Sequence, residues 1–260
     1  MVVVLTLALF YSGLLGCLYA AQRSLLYPAP PLPRTLLPAG VQEMMLGTPG
    51  QPVFARYLPP PEGGRVVVHF HGNAEVLPDL DELLAHFRAA GLGFAAVEYP
   101  GYGLAREQEP SEESLEAAAE VLLGYLETTE HLSRDRLVLE GRSLGTGVAT
   151  EMARRGHGSR LMLISPYTSL PAVAQAMFPF VPARLLMRDH FPTDERAPSV
   201  VIPVLIVHGA EDQVIPFRMG EALSHRFPHA QLRRVERGGH NDLFAVDGGL
   251  ADALAAFAKG

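Results

Sequence analysis

Basic residues are in the minority: 21 Lys and Arg stand against 28 Asp and Glu, giving a formal net charge of −7 at pH 7. That balance argues against a nucleic-acid binder, whose footprint would be a basic face, while leaving room for one small basic patch. Cysteine is nearly absent. With Cys17 alone there can be no internal disulfide and no cysteine-based zinc site. No fixed period organises the 25 Gly and 22 Pro, which excludes collagen-like and low-complexity classes. Disorder is excluded by what is present: 48% of the residues are hydrophobic and 19% charged, enough apolar surface to build a core. At 260 residues the chain is long for one small domain and short for two, and single α/β domains often reach about 250 residues.

Charge is also missing locally. Residues 1–21 carry none, and the first charged residue is Arg23. At about 1.5 Å per residue a helix of that length spans roughly 30 Å, the thickness of a bilayer core. Residues 1–22 are therefore expected to be an N-terminal hydrophobic membrane anchor, with Tyr11 and Tyr19 tolerable near an interface. Two other readings compete. A cleaved signal peptide should open with a positive n-region, and only the α-amine supplies charge here; Leu14-Leu15-Gly16-Cys17 resembles a lipoprotein cleavage site only loosely. The third reading is a helix buried in the core. Arg23, Arg34 and Arg56 follow the segment and no basic residue precedes it, a bias that would put the following domain in the cytoplasm. Pro28, Pro30, Pro31, Pro33 and Pro38 make residues 23–39 an extended connector. The domain proper is expected at residues 40–260.

In that domain strand and helix patterns alternate. Short β-branched or aliphatic runs at 66–70, 93–99, 137–139, 161–164, 200–207 and 231–235 read as strands. Helical periodicity covers 77–90, 110–128, 144–155, 217–227 and 243–258. Weaker apolar segments at 41–46 and 53–57 could form a leading antiparallel pair. The fold class is α/β: a mostly parallel central sheet flanked by helices on both faces. No internal repeat is apparent.

Ligands in such sheets bind at the carboxyl ends of the strands, so the residues just after each strand carry the functional signal. Gly141-Arg142-Ser143-Leu144-Gly145 fits G-x-S-x-G and sits between a strand and a helix. A sharp turn there strains the central residue, and the flanking glycines leave room for it. The competing reading is an ordinary glycine-rich connection with a capping serine. A serine hydroxyl needs a base within hydrogen-bond reach, and the base needs an orienting partner. In this arrangement the chain order is Ser, then Asp or Glu, then His. Of His225, His229 and His240, only His240, in Gly238-Gly239-His240-Asn241-Asp242, lies past the last strand at the correct edge. Glu211 and Asp212 both follow the penultimate strand, and spacing alone does not separate them. An oxyanion hole needs the amide after the nucleophile, Leu144, and one from the loop His71-Gly72-Asn73-Ala74; Asn73 is the expected donor, with Ala74 next. His69 and His71 have metal-ligand spacing, but no carboxylate or third histidine is expected beside them, so no metal is assigned. The turns Tyr99-Pro100-Gly101-Tyr102-Gly103 and Ser165-Pro166-Tyr167 are expected to wall the pocket.

These motifs, together with Gln22-Arg23, Tyr27-Pro28, Arg188-Asp189-His190-Phe191 and His208-Gly209, make the chain from about residue 25 to its end resemble an α/β-hydrolase of the serine-hydrolase type. It is most similar to the small-lidded branch that carries an amino-terminal membrane segment and includes protein depalmitoylases. Palmitate-removing members typically have a cysteine-rich, acylated amino terminus, and here there is only Cys17. The resemblance implies a triad of Ser143, Asp212 (rather than Glu211) and His240, an oxyanion hole at Asn73 and Leu144, and no cofactor. It implies hydrolysis of esters, thioesters or amides through an acyl-enzyme on Ser143, with a small-molecule ester or thioester as partner. A small lid is expected at about 171–199, where Met177, Phe178, Phe180, Val181, Leu185, Leu186 and Met187 either line an acyl slot or dock the insert on the sheet. A cap this small cannot close a chamber. The alternatives are a prolyl-aminopeptidase-like enzyme, for which Asp189, Asp194 and Glu195 would have to face the substrate amine, and a non-catalytic binding protein on the same fold.

Overall fold

The computed structural model describes residues 1–33 and 35–260. A long helix, α1 (Val2–Leu26), stands ahead of the sheet-bearing domain. Then come β1 (Gln42–Thr48), β2 (Gln51–Leu58), β3 (Val66–Phe70), α2 (Asp81–Ala89), β4 (Gly93–Val97), α3 (Glu112–Thr128), β5 (Leu137–Arg142) and α4 (Gly145–Arg154). After β6 (Arg160–Ile164) the chain leaves the sheet as α5 (Leu170–Met177), α6 (Ala183–Leu186) and α7 (Thr193–Arg196). It returns as β7 (Val204–Gly209), α8 (Phe217–Ser224), β8 (Ala230–Val235), α9 (Leu243–Val246) and α10 (Leu250–Lys259).

Among the described residues eight strands form one sheet in the order β1-β2-β4-β3-β5-β6-β7-β8. β1 and β2 pair antiparallel, the leading pair expected from the sequence; β2 also pairs antiparallel with β4, and every pair from β4 onward is parallel. Alternation along β3 builds two cores. Val66, Val68 and Phe70 join Leu115, Leu122, Val148 and Leu223 of α3, α4 and α8 on one face. Val67 joins Leu84 and Phe87 of α2 and Leu250 and Leu254 of α10 on the other.

Several boundaries differ from the sequence reading for identifiable reasons. α1 runs to Leu26, four residues into the expected connector, because nothing before Tyr27-Pro28 breaks a helix. The stretch from Leu77 opens as a 3₁₀ turn around Pro78 before α2 begins at Asp81. β7 starts only at Val204, past Pro203, which lacks the ladder donor a parallel interior strand requires. The last helix is split at Asp247-Gly248-Gly249, where two glycines weaken helical backbone.

An ion network roots the cap, residues 170–199, in the body. Arg196 of α7 reaches Glu112 at 2.7 Å, Glu116 at 2.8 Å and Glu151 at 3.1 Å. Glu112 also accepts the amides of His190 at 2.7 Å and Phe191 at 2.9 Å. Burial alone would raise the Glu151 carboxyl; Arg154, Arg155 and Arg196 outweigh it and hold the group down to about 2.

Candidate active site

The end of β5 decides the geometry. Ser143 has φ +49°, a left-handed conformation that costs a non-glycine residue about 1–3 kcal/mol. The turn is possible because its neighbours lack side chains. A Cβ on Gly141 would overlap the Gly145 carbonyl, and one on Gly145 would overlap the Phe70 carbonyl. Hydrogen bonds then fix the turn: the Ser143 amide donates to the Ile164 carbonyl at 2.9 Å, and the Ser143 carbonyl accepts from Thr146 Oγ1 at 2.6 Å.

The loops after β7 and β8 bring two further groups to this point. They pack so closely that a Cβ on Gly209 would strike the Gly238 carbonyl. Ser143 Oγ lies 3.0 Å from His240 Nε2, and His240 Nδ1 donates to Asp212 Oδ2 at 2.7 Å. Asp212 Oδ1 accepts the amides of Val214 and Ile215, both at 2.8 Å. His208 Nε2 stands 3.4 Å from Asp212 Oδ2. Burial would raise the Asp212 carboxyl, but His208, His240 and the Ile215 amide outweigh it and hold it well below the usual carboxylate range. The side chain is thus an anion, and an anion on Nδ1 leaves Nε2 free to accept the serine proton. Of the adjacent carboxylates left open by spacing, Asp212 is buried at the imidazole and Glu211 is exposed. His225 caps the end of α8, and neither it nor His229 borders the site.

The loop after β3 faces Ser143 from the other side. Ala74 takes φ +59°, and the Gly72 amide donates to Glu75 Oε2 at 2.5 Å. The Asn73 side chain is spent on structure: Nδ2 donates to the Leu26 carbonyl at 2.8 Å, and Oδ1 accepts from Tyr102 Oη at 2.6 Å. Among the described residues the backbone amides of Asn73 and Leu144 have no hydrogen-bond partner, and both residues border the same cavity as Ser143 and His240. Two unspent donors beside a hydroxyl–imidazole pair are what charge developing on a carbonyl oxygen would need.

Sequence reasoning missed the bond that joins these loops. Arg142, the variable residue before the serine, reaches Glu75 Oε1 at 2.5 Å and Asn241 Oδ1 at 3.3 Å. No periodicity or motif connects positions so far apart. Two expectations need correction. His69 and His71 do have carboxylates nearby: His69 Nδ1 is 3.1 Å from Glu140 and His71 Nε2 is 3.6 Å from Glu98. The His71 ring is sealed against Tyr99, with centroids 4.0 Å apart, and burial lowers it to about 4, so it stands neutral as scaffold. The Tyr99–Gly103 turn does not wall the cavity; Tyr99 and Tyr102 are buried in the core, and Tyr102 braces Asn73. Tyr167 of the other turn does line it, with its hydroxyl donating to the Leu144 carbonyl at 3.0 Å.

A cavity of about 970 Å³ opens from Ser143. One side is the cap, including Met177, Phe178, Phe180, Val181, Leu186 and Met187; Leu185 points away and is 85% exposed. The other side is α1, through Leu14, Leu18, Leu25 and Leu26. The cap borders one side of this space and α1 the other.

Fold and site together define a hydrolase-type scaffold, and the chain belongs to the α/β-hydrolase family. Alpha/beta hydrolase domain-containing protein 17C of Xenopus tropicalis is 34% identical over 187 residues, 70% of this chain and 58% of its own. The human protein of that name is 32% identical over 188 residues, 70% of this chain and 55% of its own. The chain thus spans somewhat over half the length of these named relatives. An uncharacterized protein of Mycobacterium tuberculosis, Rv2307c, is 33% identical over 263 residues, 98% of this chain and 93% of that one. No family model matches the chain. Among solved structures, the 2,6-dihydroxy-pseudo-oxynicotine hydrolase superposes with a TM-score of 0.72 at 18% identity, covering 84% of this chain and 67% of that one. The Pyrococcus furiosus esterase Pf2001 gives 0.69 at 14% identity, covering 88% and 95%. At such identities these two structures speak for the fold.

Proposed function

We propose that the protein is a serine hydrolase that cleaves carboxylic esters or thioesters of lipid-like acyl groups through an acyl-enzyme on Ser143. The observation that carries this reading is the unbroken line from Asp212 through His240 to Ser143, with separations of 2.7 and 3.0 Å. His240 Nε2 takes the hydroxyl proton as Ser143 Oγ bonds to the acyl carbonyl carbon. The carbonyl oxygen becomes an oxyanion facing the Asn73 and Leu144 amides. The intermediate collapses, the C–O or C–S bond breaks, and His240 returns its proton to the departing alcohol or thiol. Water then gives a proton to His240 and attacks the Ser143 ester. Collapse of the second intermediate releases the carboxylic acid and restores the serine hydroxyl with the proton held by His240.

Among the described residues α1 alone is long and apolar enough to cross a membrane, and none of its residues is fully buried. It serves in this reading as the membrane anchor, and Arg23 directly after its apolar run favours a cytoplasmic domain; protease protection in sealed vesicles checks the side. An amine-directed peptidase fits less well. Asp194 and Glu195 do not border the cavity, and Asp189 is buried where its Oδ1 accepts the Glu112 amide at 3.0 Å.

The test is covalent labelling of the full chain by a fluorophosphonate, with Ser143→Ala as control, beside parallel assays on aryl esters and aminoacyl amides. Labelling that disappears in Ser143→Ala, with ester turnover lowered about 10⁶-fold, is expected. Labelling that persists in the variant, or turnover of the amides alone, overturns the assignment.

A further inference from the structure

We propose that α1 is a wall of the acyl-binding site as well as an anchor, and that the acyl chain of a bilayer-resident ester or thioester reaches Ser143 along the seam between α1 and the cap. This rests on the serine-hydrolase reading above and adds where the chain lies and how it enters.

The first support is the shape of the cavity. Leu14, Leu18 and Leu25 lie on one stripe of α1 and, with Leu26 at the helix end, border the cavity that holds Ser143 and His240, with Met177 and Leu186 opposite. From Leu14 to Leu25 this stripe extends about 16 Å at 1.5 Å per residue, a length suited to a long acyl chain. Its volume, about 970 Å³, sits at the top of the about 300–1,000 Å³ usual for ligand cavities. A site for short acyl groups would have no use for the far end.

The second support is the cap tip. Gln22 ties to the cap's exit, with Nε2 donating to the Leu186 carbonyl at 3.2 Å and Oε1 accepting the Arg188 amide at 2.8 Å. Tyr11, three turns back along α1, ties to the tip, its hydroxyl donating to the Phe180 carbonyl at 2.5 Å. With α1 inserted, the tip therefore lies inside the adjacent leaflet. Its side chains suit that place: Met177, Phe178 and Phe180 are 52%, 49% and 64% exposed. So does its backbone. Irregular chain in hydrocarbon requires its polar groups to be satisfied internally. The carbonyls of Phe178, Val181 and Pro182 accept local amides, that of Pro179 accepts Gln175 Nε2 at 2.8 Å, and that of Phe180 accepts Tyr11. Pro179 and Pro182 have no N–H to satisfy, and among the described residues of the tip only the Phe180 amide lacks a partner. A solvent-facing loop has no need of such thorough pairing, because water would supply it.

The experiment uses the full chain in phosphatidylcholine nanodiscs. A hexadecyl fluorophosphonate carrying a diazirine near its chain end is bound at Ser143, irradiated, and the cross-linked peptides mapped. Cross-links into residues 14–26 are expected; cross-links confined to the cap or sheet overturn the proposal. If the probe does not label Ser143 at all, the catalytic reading fails and takes this one with it. In parallel, Leu18→Trp fills the seam. The ratio of hexadecanoyl to acetyl ester turnover is expected to fall at least about tenfold, the scale on which apolar pockets discriminate by fit. A ratio unchanged within about twofold in nanodisc-inserted variant, a separate sample of which labels fully at Ser143, would overturn the assignment of α1 to the site.

Discussion

The rim that carries Ser143, His240 and Asp212 and the seam between α1 and the cap border one cavity, but they are held by opposite means. At the rim, backbone is forced into left-handed conformations at Ser143, Ala74 and Ser165, with φ of +49°, +59° and +50°. The side chains of Ser143, His240, Asp212 and Asn73 there have fixed partners, as do Arg142 and Glu75 in each other. Along the seam the facing surfaces are apolar apart from ties at Tyr11, Tyr19 and Gln22. Proton transfer fails when groups move by about an ångström, whereas an apolar wall can shift and still exclude water. The rim should therefore govern how fast any acyl group is cleaved, and the seam which acyl groups arrive.

Asp212→Asn separates the two most sharply. The amide can present its NH₂ to His240 Nδ1 and lock the wrong tautomer, and acid-to-amide changes of this kind in serine triads cost about 10⁴ in kcat. The expected loss is the same for acetyl and hexadecanoyl esters, measured in one detergent. A loss under about tenfold would remove Asp212 from the proposed relay, and a loss confined to one chain length would break the division between rim and seam.

A smaller effect is expected where the cap is rooted. Arg196 neutralises Glu112, Glu116 and Glu151, all largely buried. Arg196→Met strips Glu112 of its cation, while Glu116 keeps Arg155 and Glu151 keeps Arg154 and Arg155, so the cost should fall at the lower end of the about 3–5 kcal/mol for removing one partner of a buried ion cluster. At about 2–4 °C per kcal/mol for a domain of this size, Tm should fall by roughly 10 °C. The pH dependence follows from Glu151. Its carboxyl is lowered from 4.5 to about 2, so the stability it contributes is present above pH 4.5 and disappears as the pH falls toward 2. That depression corresponds to about 3 kcal/mol. Arg154 and Arg155 share that depression with Arg196, so the Tm gap between wild type and variant should narrow on acidification through this window; a gap that stays constant from neutral pH to pH 2 would show that Arg196 acts by packing.

The same division explains what could be read in advance. Parallel strands, the elbow at Gly141 and Gly145, and the edge on which His240 lies all leave local marks, because each is a backbone requirement met by particular residues at short spacing. Asp212 and Glu211 could not be told apart by spacing, since which neighbour is buried depends on how the loop after β7 folds against Gly238. The Glu75–Arg142 contact and the role of Tyr102 in bracing Asn73 join positions with no shared period. The wall supplied by α1 was the least legible of all. Leu14, Leu18 and Leu25 have the same composition whether they face lipid or a cavity, and only the placement of the cap opposite them distinguishes the two.

The finest probe of the seam is Gln22→Ala. Among the described residues the Gln22 side chain is the sole acceptor of the Arg188 amide, at 2.8 Å, and one of the ties on Leu186. A hydrogen bond of this exposed kind contributes about 0.5–1.5 kcal/mol, up to roughly tenfold in the opening equilibrium that governs amide exchange. Exchange at Arg188 should quicken by that factor in the full chain in detergent, while amides of β5 and β6 stay as slow as before. The Arg188 guanidinium also lies over the Tyr19 ring, 4.5 Å from its centroid, and this contact survives the substitution. Unchanged exchange at Arg188 would therefore mean that the cation–aromatic contact alone pins the cap to α1, moving the polar anchor of the seam from Gln22 to Tyr19 without loosening the wall.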